Sequence, residues 1–263
     1  MIFDGRAFAK ELEKDLATRV AQLPHKPKMV SVLVGDDPAS VMYTQLKNKA
    51  ANRCGIDFSV EKLDSRFKIQ EIKERIAEIG AREDVTGLMV QLPIPGLDKS
   101  QTQEVLKAIP LNKDVDGLRW EESGVMPATV KAIFSILEKI NLETRIWNLE
   151  SRFVVLGARG AVGKPLVYYL QKQGVKVDEV EWDTPDPARM ILAGEVVISC
   201  VGKPGVVTEK MIKPSMIMVD VGAPVGDMTS GVYQKAAVAV PVPGGVGPVT
   251  VVSLMENAVD LVL

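Results

Sequence analysis

Short apolar runs alternate with amphipathic helical stretches along almost the whole sequence, and this alternation constrains the fold more than any other feature. A strand apolar on both faces has to be covered by helices, and each intervening helix supplies the crossover that parallel pairing needs. The pattern predicts strands over Lys28–Val34, Asp57–Leu63, Val85–Val90, Arg152–Leu156, Val175–Val180, Val196–Gly202 and Met216–Gly222. Helices are expected over Ala7–Leu23, over Ser40–Ala51 with Asp37 or Ser40 as N-cap, and over Lys68–Ala81, Lys99–Ile109 and Pro127–Ile140. Asn141–Arg145 reads as a linker. The resulting class is α/β, with two lobes that are each a mainly parallel sheet with flanking helices, the second a Rossmann-type dinucleotide-binding domain. A terminal helix from about Thr250 to Leu261 has an apolar face that needs a partner and is expected to return to the first lobe. The expected domains are 1–140 with 250–263, and 141–249.

Composition narrows the chemistry. Lys and Arg number 32 against 34 Asp and Glu, so a net charge of −2 offers no global attraction to nucleic acid. The opening residues lead straight into an amphipathic helix, without the features of a signal or transit segment, and no bilayer-spanning stretch is expected. Cys54 and Cys200 are too few for a disulfide framework and suit a reducing cytoplasm. The single histidine, His25, lies in a proline-flanked turn, which argues against a Ser-His-Asp triad or a histidine-built metal site. Lys, Tyr, Asp, Gln or a cofactor must carry any catalysis.

Tyr43 and Lys47 stand four residues apart on one helix, so their side chains share a face about 5–6 Å apart at Cβ. A phenol can relay a proton, and a lysine held in a dry site loses enough hydration to work as a base. The same spacing also occurs on ordinary solvated helices. Gln91 is presented at the carboxyl end of a strand by the prolines of Leu92-Pro93-Ile94-Pro95, either as a functional donor and acceptor or as an unspecialised loop residue. Asp114 and Asp116 form an acidic turn that can bind a cation, cap a helix or accept from a ring edge.

In the second half, the strand ending at Leu156 runs into Gly157-Ala158-Arg159-Gly160-Ala161-Val162-Gly163. Glycines three apart between a strand and a helix allow a tight turn and a close backbone approach to phosphate. Glu181 or Asp183, after the next strand, stands where an acid accepts from an adenosine ribose. Gly202 and Gly222 close later strands, where they permit a cofactor's approach or a structural turn. Pro241–Thr250 holds three prolines and three glycines in ten residues, a composition expected to form no regular element but a rigid apolar wall.

Several of these stretches together resemble one family. They are Val34-Gly35-Asp36-Asp37-Pro38-Ala39-Ser40 with Tyr43, Lys47 and Lys49; Val90-Gln91-Leu92-Pro93; Lys113-Asp114-Val115-Asp116-Gly117; Val201-Gly202-Lys203-Pro204; Val219-Asp220-Val221-Gly222; and Pro241-Val242-Pro243-Gly244-Gly245-Val246-Gly247-Pro248. In this order they are similar to the bifunctional methylenetetrahydrofolate dehydrogenase/methenyltetrahydrofolate cyclohydrolases, enzymes of one-carbon metabolism and purine biosynthesis. The resemblance implies a folate substrate held between two lobes and a nicotinamide dinucleotide on the second. One activity oxidises 5,10-methylenetetrahydrofolate to the methenyl form, and the other hydrolyses that product to 10-formyltetrahydrofolate. It implies Lys47, Tyr43 and Gln91 as catalytic residues, and Asp116, Tyr43, Pro243, Gly244 and Gly245 as substrate contacts. It implies Gly157, Ala158, Arg159, Gly163, Glu181 and Gly202 at the cofactor, no metal, and a homodimer built through the nucleotide-binding lobe.

The chain departs from the family pattern mainly at the cofactor. The family usually has Gly-Arg-Ser where this chain has Gly157-Ala158-Arg159, and commonly Cys-His-Ser where it has Val180-Glu181-Trp182. Losing an arginine and a serine while gaining a carboxylate disfavours a 2′-phosphate and favours a free ribose hydroxyl and hence NAD, unless Arg159 takes over the 2′-phosphate of NADP. Both dinucleotides stay open. The alternative reading is an enzyme of the same fold that keeps the cyclohydrolase with weak or lost dehydrogenase activity.

Overall fold

The computed structural model describes residues 1–148 and 150–263. In chain order the elements are α1 (Gly5–Ala21), β1 (Lys28–Val34), α2 (Pro38–Cys54), β2 (Asp57–Leu63), α3 (Ile69–Ala81), β3 (Gly87–Val90), α4 (Lys99–Leu106), α5 (Trp120–Ser123) and α6 (Ala128–Thr144). There follow β4 (Phe153–Leu156), α7 (Gly163–Lys172), β5 (Val177–Val180), α8 (Pro187–Ala193), β6 (Val196–Ser199), β7 (Ile217–Asp220), α9 (Ser230–Lys235), β8 (Val238–Val240) and α10 (Val246–Asp260). The chain divides into two compact units, one of Lys10–Ala128 with Val251–Leu263 and one of Met1–Ala9 with Thr129–Thr250. The division falls inside α1, α6 and α10.

In the first of these units the sheet is parallel, in the order β2-β1-β3. Six of the seven β1 residues are buried, as befits a central strand covered on both faces. Ile72, Ile76 and Ile79 of α3 recur on one helical face and sit at 1% exposure or less against Val30, Val32, Leu88 and Val90. Each such side chain contributes about 1.5–3 kcal/mol on burial. The residues after Val251 complete this unit, which is the return of the terminal helix anticipated above.

The other unit holds a five-stranded parallel sheet, in the order β5-β4-β6-β7-β8. The strands Phe153–Leu156, Val196–Ser199 and Ile217–Asp220 are buried throughout. Val154, Val197, Met218 and Ala239 contribute to one core cluster with Ile191 of α8 and Val232 of α9.

The structure corrects the sequence reading at several places, the short helices α5, α8 and α9 among them. The linker expected at Asn141–Arg145 is helical as far as Thr144, because nothing in Asn141-Leu142-Glu143-Thr144 breaks a helix and the turn comes only at Arg145, with φ +52°. The terminal helix begins at Val246, inside the stretch expected to form no regular element. Pro248 is tolerated there because the first N–H groups of a helix have no intrahelical partner to lose. The strand β8, three residues long, was not anticipated.

Candidate active site

In an open parallel sheet, ligands bind outside the carboxyl ends of the strands where the strand order reverses. In the three-stranded sheet that point lies between β1 and β3. The chain leaves β1 through Gly35 into α2, and leaves β3 directly into Gln91. Asp37 caps α2 by accepting from the Ser40 backbone N–H at 2.8 Å, which fixes where the helix starts and so where its later turns present their side chains. Two turns on, Lys47 Nζ donates to Gln91 Oε1 at 3.0 Å. The other end of that amide is engaged as well, since Gln91 Nε2 donates to the Leu92 carbonyl at 2.8 Å. With Gln91 only 7% exposed, the amide has one orientation that satisfies both ends, and it turns its oxygen toward the lysine.

Burial pulls the Lys47 ammonium below the usual lysine range, and the Asp116 carboxylate partly opposes the shift. Asp116 therefore acts on the same cation as Gln91, which makes Lys47, Gln91 and Asp116 one electrostatic group. The backbone on either side of Asp116 is pinned. Asp114, fully buried, accepts from Leu118 N, Arg119 N and Ser123 Oγ at 3.0, 2.8 and 3.1 Å, so its carboxylate is spent on holding the turn's own backbone. Asn257 of α10 donates to the carbonyls of Val115 and Met126, both at 2.9 Å. Sequence reasoning passed over Asn257; its signal was a lone amide in the apolar run of the terminal helix. Tyr43 lies one turn before Lys47 and is 42% exposed, a ring surface open to a ligand.

The switch point of the second sheet lies between β4 and β6. Gly157 follows β4 with φ +72°, and a Cβ there would stand 2.8 Å from the Cys200 carbonyl oxygen at the end of β6. Gly163 opens α7, and a Cβ on it would stand 2.1 Å from Gly157 O, so only glycine lets the helix start against this turn. Glu181, just past β5, accepts a short hydrogen bond from Arg159 N, and Arg159 Nη1 lies 3.2 Å from Asp183. The structure thus brings Gly157, Ala158, Arg159, Gly163 and Glu181 together. Gly202 lies past the end of β6 with φ +73°, exposed and with open space at its Cβ position. Pro243, Gly244 and Gly245 follow β8, and Gly245 N donates to Pro241 O at 2.9 Å. These residues all belong to the β4–β8 unit, whereas Lys47, Tyr43, Gln91 and Asp116 belong to the other.

Glycines that admit no side chain at the turn, backbone N–H groups at a helix start and a carboxylate past the second strand fit a dinucleotide. Among the described residues, no group of three or more His, Cys, Asp or Glu could hold a metal ion, and no helix is long and apolar enough to cross a membrane.

The fold and these two sites define an α/β protein with a nucleotide-binding sheet, and comparison with known proteins specifies it further. Residues 3–116 match the catalytic domain of tetrahydrofolate dehydrogenase/cyclohydrolase, and residues 127–263 match its NAD(P)-binding domain. The bifunctional protein FolD of Helicobacter pylori is 33% identical over 98% of this chain and 93% of its own length. The crystal structure of the bifunctional enzyme FolD from Campylobacter jejuni superposes with a TM-score of 0.89 at 29% identity, covering 99% of this chain and 98% of its own. The FolD of Trypanosoma brucei, solved with NADP cofactor and an inhibitor, gives a TM-score of 0.88 at 30% identity over 99% of this chain and 96% of its own. The chain belongs to the tetrahydrofolate dehydrogenase/cyclohydrolase family.

Proposed function

We propose that this protein oxidises 5,10-methylenetetrahydrofolate to 5,10-methenyltetrahydrofolate with NAD(P)+ and hydrolyses the product to 10-formyltetrahydrofolate. The observation that carries the reading is the hydrogen bond from Lys47 to an oriented, buried Gln91 at the switch point of the first sheet. In the hydrolysis a water oxygen attacks the methenyl carbon, and the Lys47 amine takes the proton that the water gives up. The bond from that carbon to N5 then breaks, N5 takes the proton that Lys47 holds, and the hydroxyl on the carbon gives its own proton to the freed amine as the formyl carbonyl forms, so that one proton is released to solvent per turnover. A cationic substrate beside Lys47 lowers its affinity for protons further, in the same direction as burial. Gln91 keeps Nζ aimed, Asp116 accepts from the pterin ring's N–H and amino donors, and Tyr43 offers its ring beside them. Pro243, Gly244 and Gly245 are assigned to the substrate as well.

When bound, the dinucleotide supplies the hydride acceptor for the oxidation. Gly157, Ala158, Arg159 and Gly163 cradle its phosphates, Glu181 accepts from the adenosine ribose, and Gly202 borders it at the end of β6. We favour NAD over NADP. Glu181 stands on the glycine turn, and Asp183 already pairs with Arg159, the cation a 2′-phosphate would need. The unit of Lys10–Ala128 with Val251–Leu263 then binds folate, and the β4–β8 unit the dinucleotide. Free Cys54 and Cys200 suit the cytoplasm, and the family resemblance supports a homodimer, to be tested by sedimentation.

Steady-state assays with methylenetetrahydrofolate and either dinucleotide, followed by methenyl hydrolysis without dinucleotide, test the reading. Both activities are expected, with the higher kcat/KM for NAD. Absence of hydrolysis would remove the Lys47 site, and absence of oxidation with either dinucleotide would remove the glycine turn's role.

A further inference from the structure

Two carboxylates lie fully buried in the β4–β8 unit without any role in the reactions above. Asp220 ends β7, Asp227 lies in the loop beyond it, and both are 0% exposed. Among the described residues, their hydrogen-bond donors are backbone N–H groups and hydroxyls, not cationic side chains. Asp220 accepts from Gly222 N, Asp227 N, Met228 N and the Tyr233 hydroxyl at 2.9, 3.0, 2.8 and 2.6 Å. Asp227 Oδ2 accepts from Ser199 Oγ at 2.7 Å and Val201 N at 2.8 Å, while its Oδ1 accepts from Lys203 N at 2.9 Å.

The bonds to Asp227 single out one loop. Its two oxygens take the N–H groups on either side of Gly202, so the carboxylate clamps the exposed turn after β6 from within. An amide could not do this, because Asn has one acceptor oxygen and would turn a donor toward the second N–H. The neighbouring backbone is shaped around the carboxylates. A Cβ at Gly222 would stand 2.8 Å from Asp227 Oδ1, and one at Gly226 would stand 2.6 Å from Asp220 Oδ2. Asp227 is itself held, through its own N–H, by Asp220. Tyr233 extends the network to the loop after β8, since its hydroxyl accepts from Val242 N at 3.3 Å. Burial first, and the bond to Asp220 second, hold that phenol well above its ordinary pKa, so it stays a donor. Burying a charge is costly, and a fold needing only a turn here could have used a neutral residue. What the charge supplies is a fixed backbone at the carboxyl ends of three adjacent strands, on the side of the switch point away from β5. With the ribose acid past β5, that is the side left for the nicotinamide half of a dinucleotide.

We propose that Asp227, supported by Asp220 and Tyr233, is a positioning residue for the dinucleotide and sets the Val201–Lys203 backbone against which the cofactor lies. The inference rests on the reading that this loop borders the cofactor, so the test treats the two separately. NAD and NADP are titrated calorimetrically into the full-length parent and the Asp227→Asn, Ser199→Ala and Gly202→Ala variants, and methenyl hydrolysis is assayed on each without dinucleotide. Asp227→Asn strands a backbone donor and should raise the dinucleotide Kd about tenfold, with the kcat of hydrolysis kept within about twofold of the parent. Ser199→Ala leaves both loop bonds in place and should raise that Kd by about threefold at most while still measurably weakening binding. If Asp227→Asn does not fold, this smaller loss with intact hydrolysis supports the inference, and unchanged binding in Ser199→Ala overturns it. Binding and hydrolysis lost in equal measure in Asp227→Asn would mean a role in stability only, and would overturn the inference. Parental binding in Asp227→Asn beside weakened binding in Gly202→Ala would overturn it and leave the site reading standing. Parental binding in both would remove the loop from the cofactor site, and the inference with it.

Discussion

The two units place their sites at equivalent points of their sheets and build them from opposite materials. Beyond β1 and β3 the groups brought together are side-chain termini, namely Lys47 Nζ, Gln91 Oε1 and the Asp116 carboxylate, which the proposed function makes the working atoms. Beyond β4 and β6 the material is backbone: Gly157 and Gly163 let the turn and α7 pack closer than any side chain would allow, and Gly202 leaves its turn exposed. The first kind of site is disabled by taking atoms away, the second by adding them. Each should therefore fail without the other.

Lys47→Met removes the one amine and should cut methenyl hydrolysis by about 10²–10⁴-fold, the usual worth of a positioned acid or base. Circular dichroism and the thermal midpoint should match the parent, since the partly covered methylene stem is retained; hydrolysis at the parent rate would break the comparison at its first half. The converse is Gly163→Ala. Its added methyl would stand 2.1 Å from Gly157 O, so the turn must shift, and dinucleotide affinity should fall about tenfold or more with hydrolysis intact. Dinucleotide titration beside the hydrolysis assay checks this.

Gln91→Glu sharpens the side-chain half. A carboxylate beside Nζ favours the ammonium, which raises the lysine's pKa toward the ordinary range and leaves less neutral amine at pH 7. Hydrolysis at pH 7 should drop by about tenfold per unit of upward shift, and recover as pH rises. A pH-independent loss would mean that Gln91 acts by shape alone. The smallest effect is expected from Glu181→Ser, a partly exposed group screened by water. The NADP to NAD ratio of kcat/KM should rise several-fold, and an unchanged ratio would release Glu181 from the ribose.

Legibility followed the same division of materials. Strands β1 and β2 were readable to the residue, because Lys28–Val34 and Asp57–Leu63 are runs bounded by turns. The glycine turn at Gly157–Gly163 was readable too, since glycine spacing states a backbone requirement locally. β8 was not, because three residues after a pair of alanines give no period. Pro248 misled for a related reason: whether a proline breaks a helix depends on its distance from the helix start, which the sequence does not mark. Lys47, Gln91 and Asp116 could each be suspected from residue type and family resemblance. That Lys47 and Gln91 meet across 44 residues is a property of the β1/β3 switch point. Asp227 and Asn257 escaped notice because a buried polar residue reveals its partners only once the backbone around it is folded.

The central claim is that Lys47 works as a neutral amine, and the pH dependence of kcat for methenyl hydrolysis, corrected for the uncatalysed rate, tests it most directly. A lysine whose pKa is lowered by burial gives up its proton earlier than usual, so the active form is complete above that lowered value and lost as pH falls through it. The account predicts a kcat that rises with pH and levels off below the ordinary lysine pKa of about 10.4, with the rise absent in Lys47→Met. A rise that persists unchanged in Lys47→Met, or a parent profile that is flat, would contradict it.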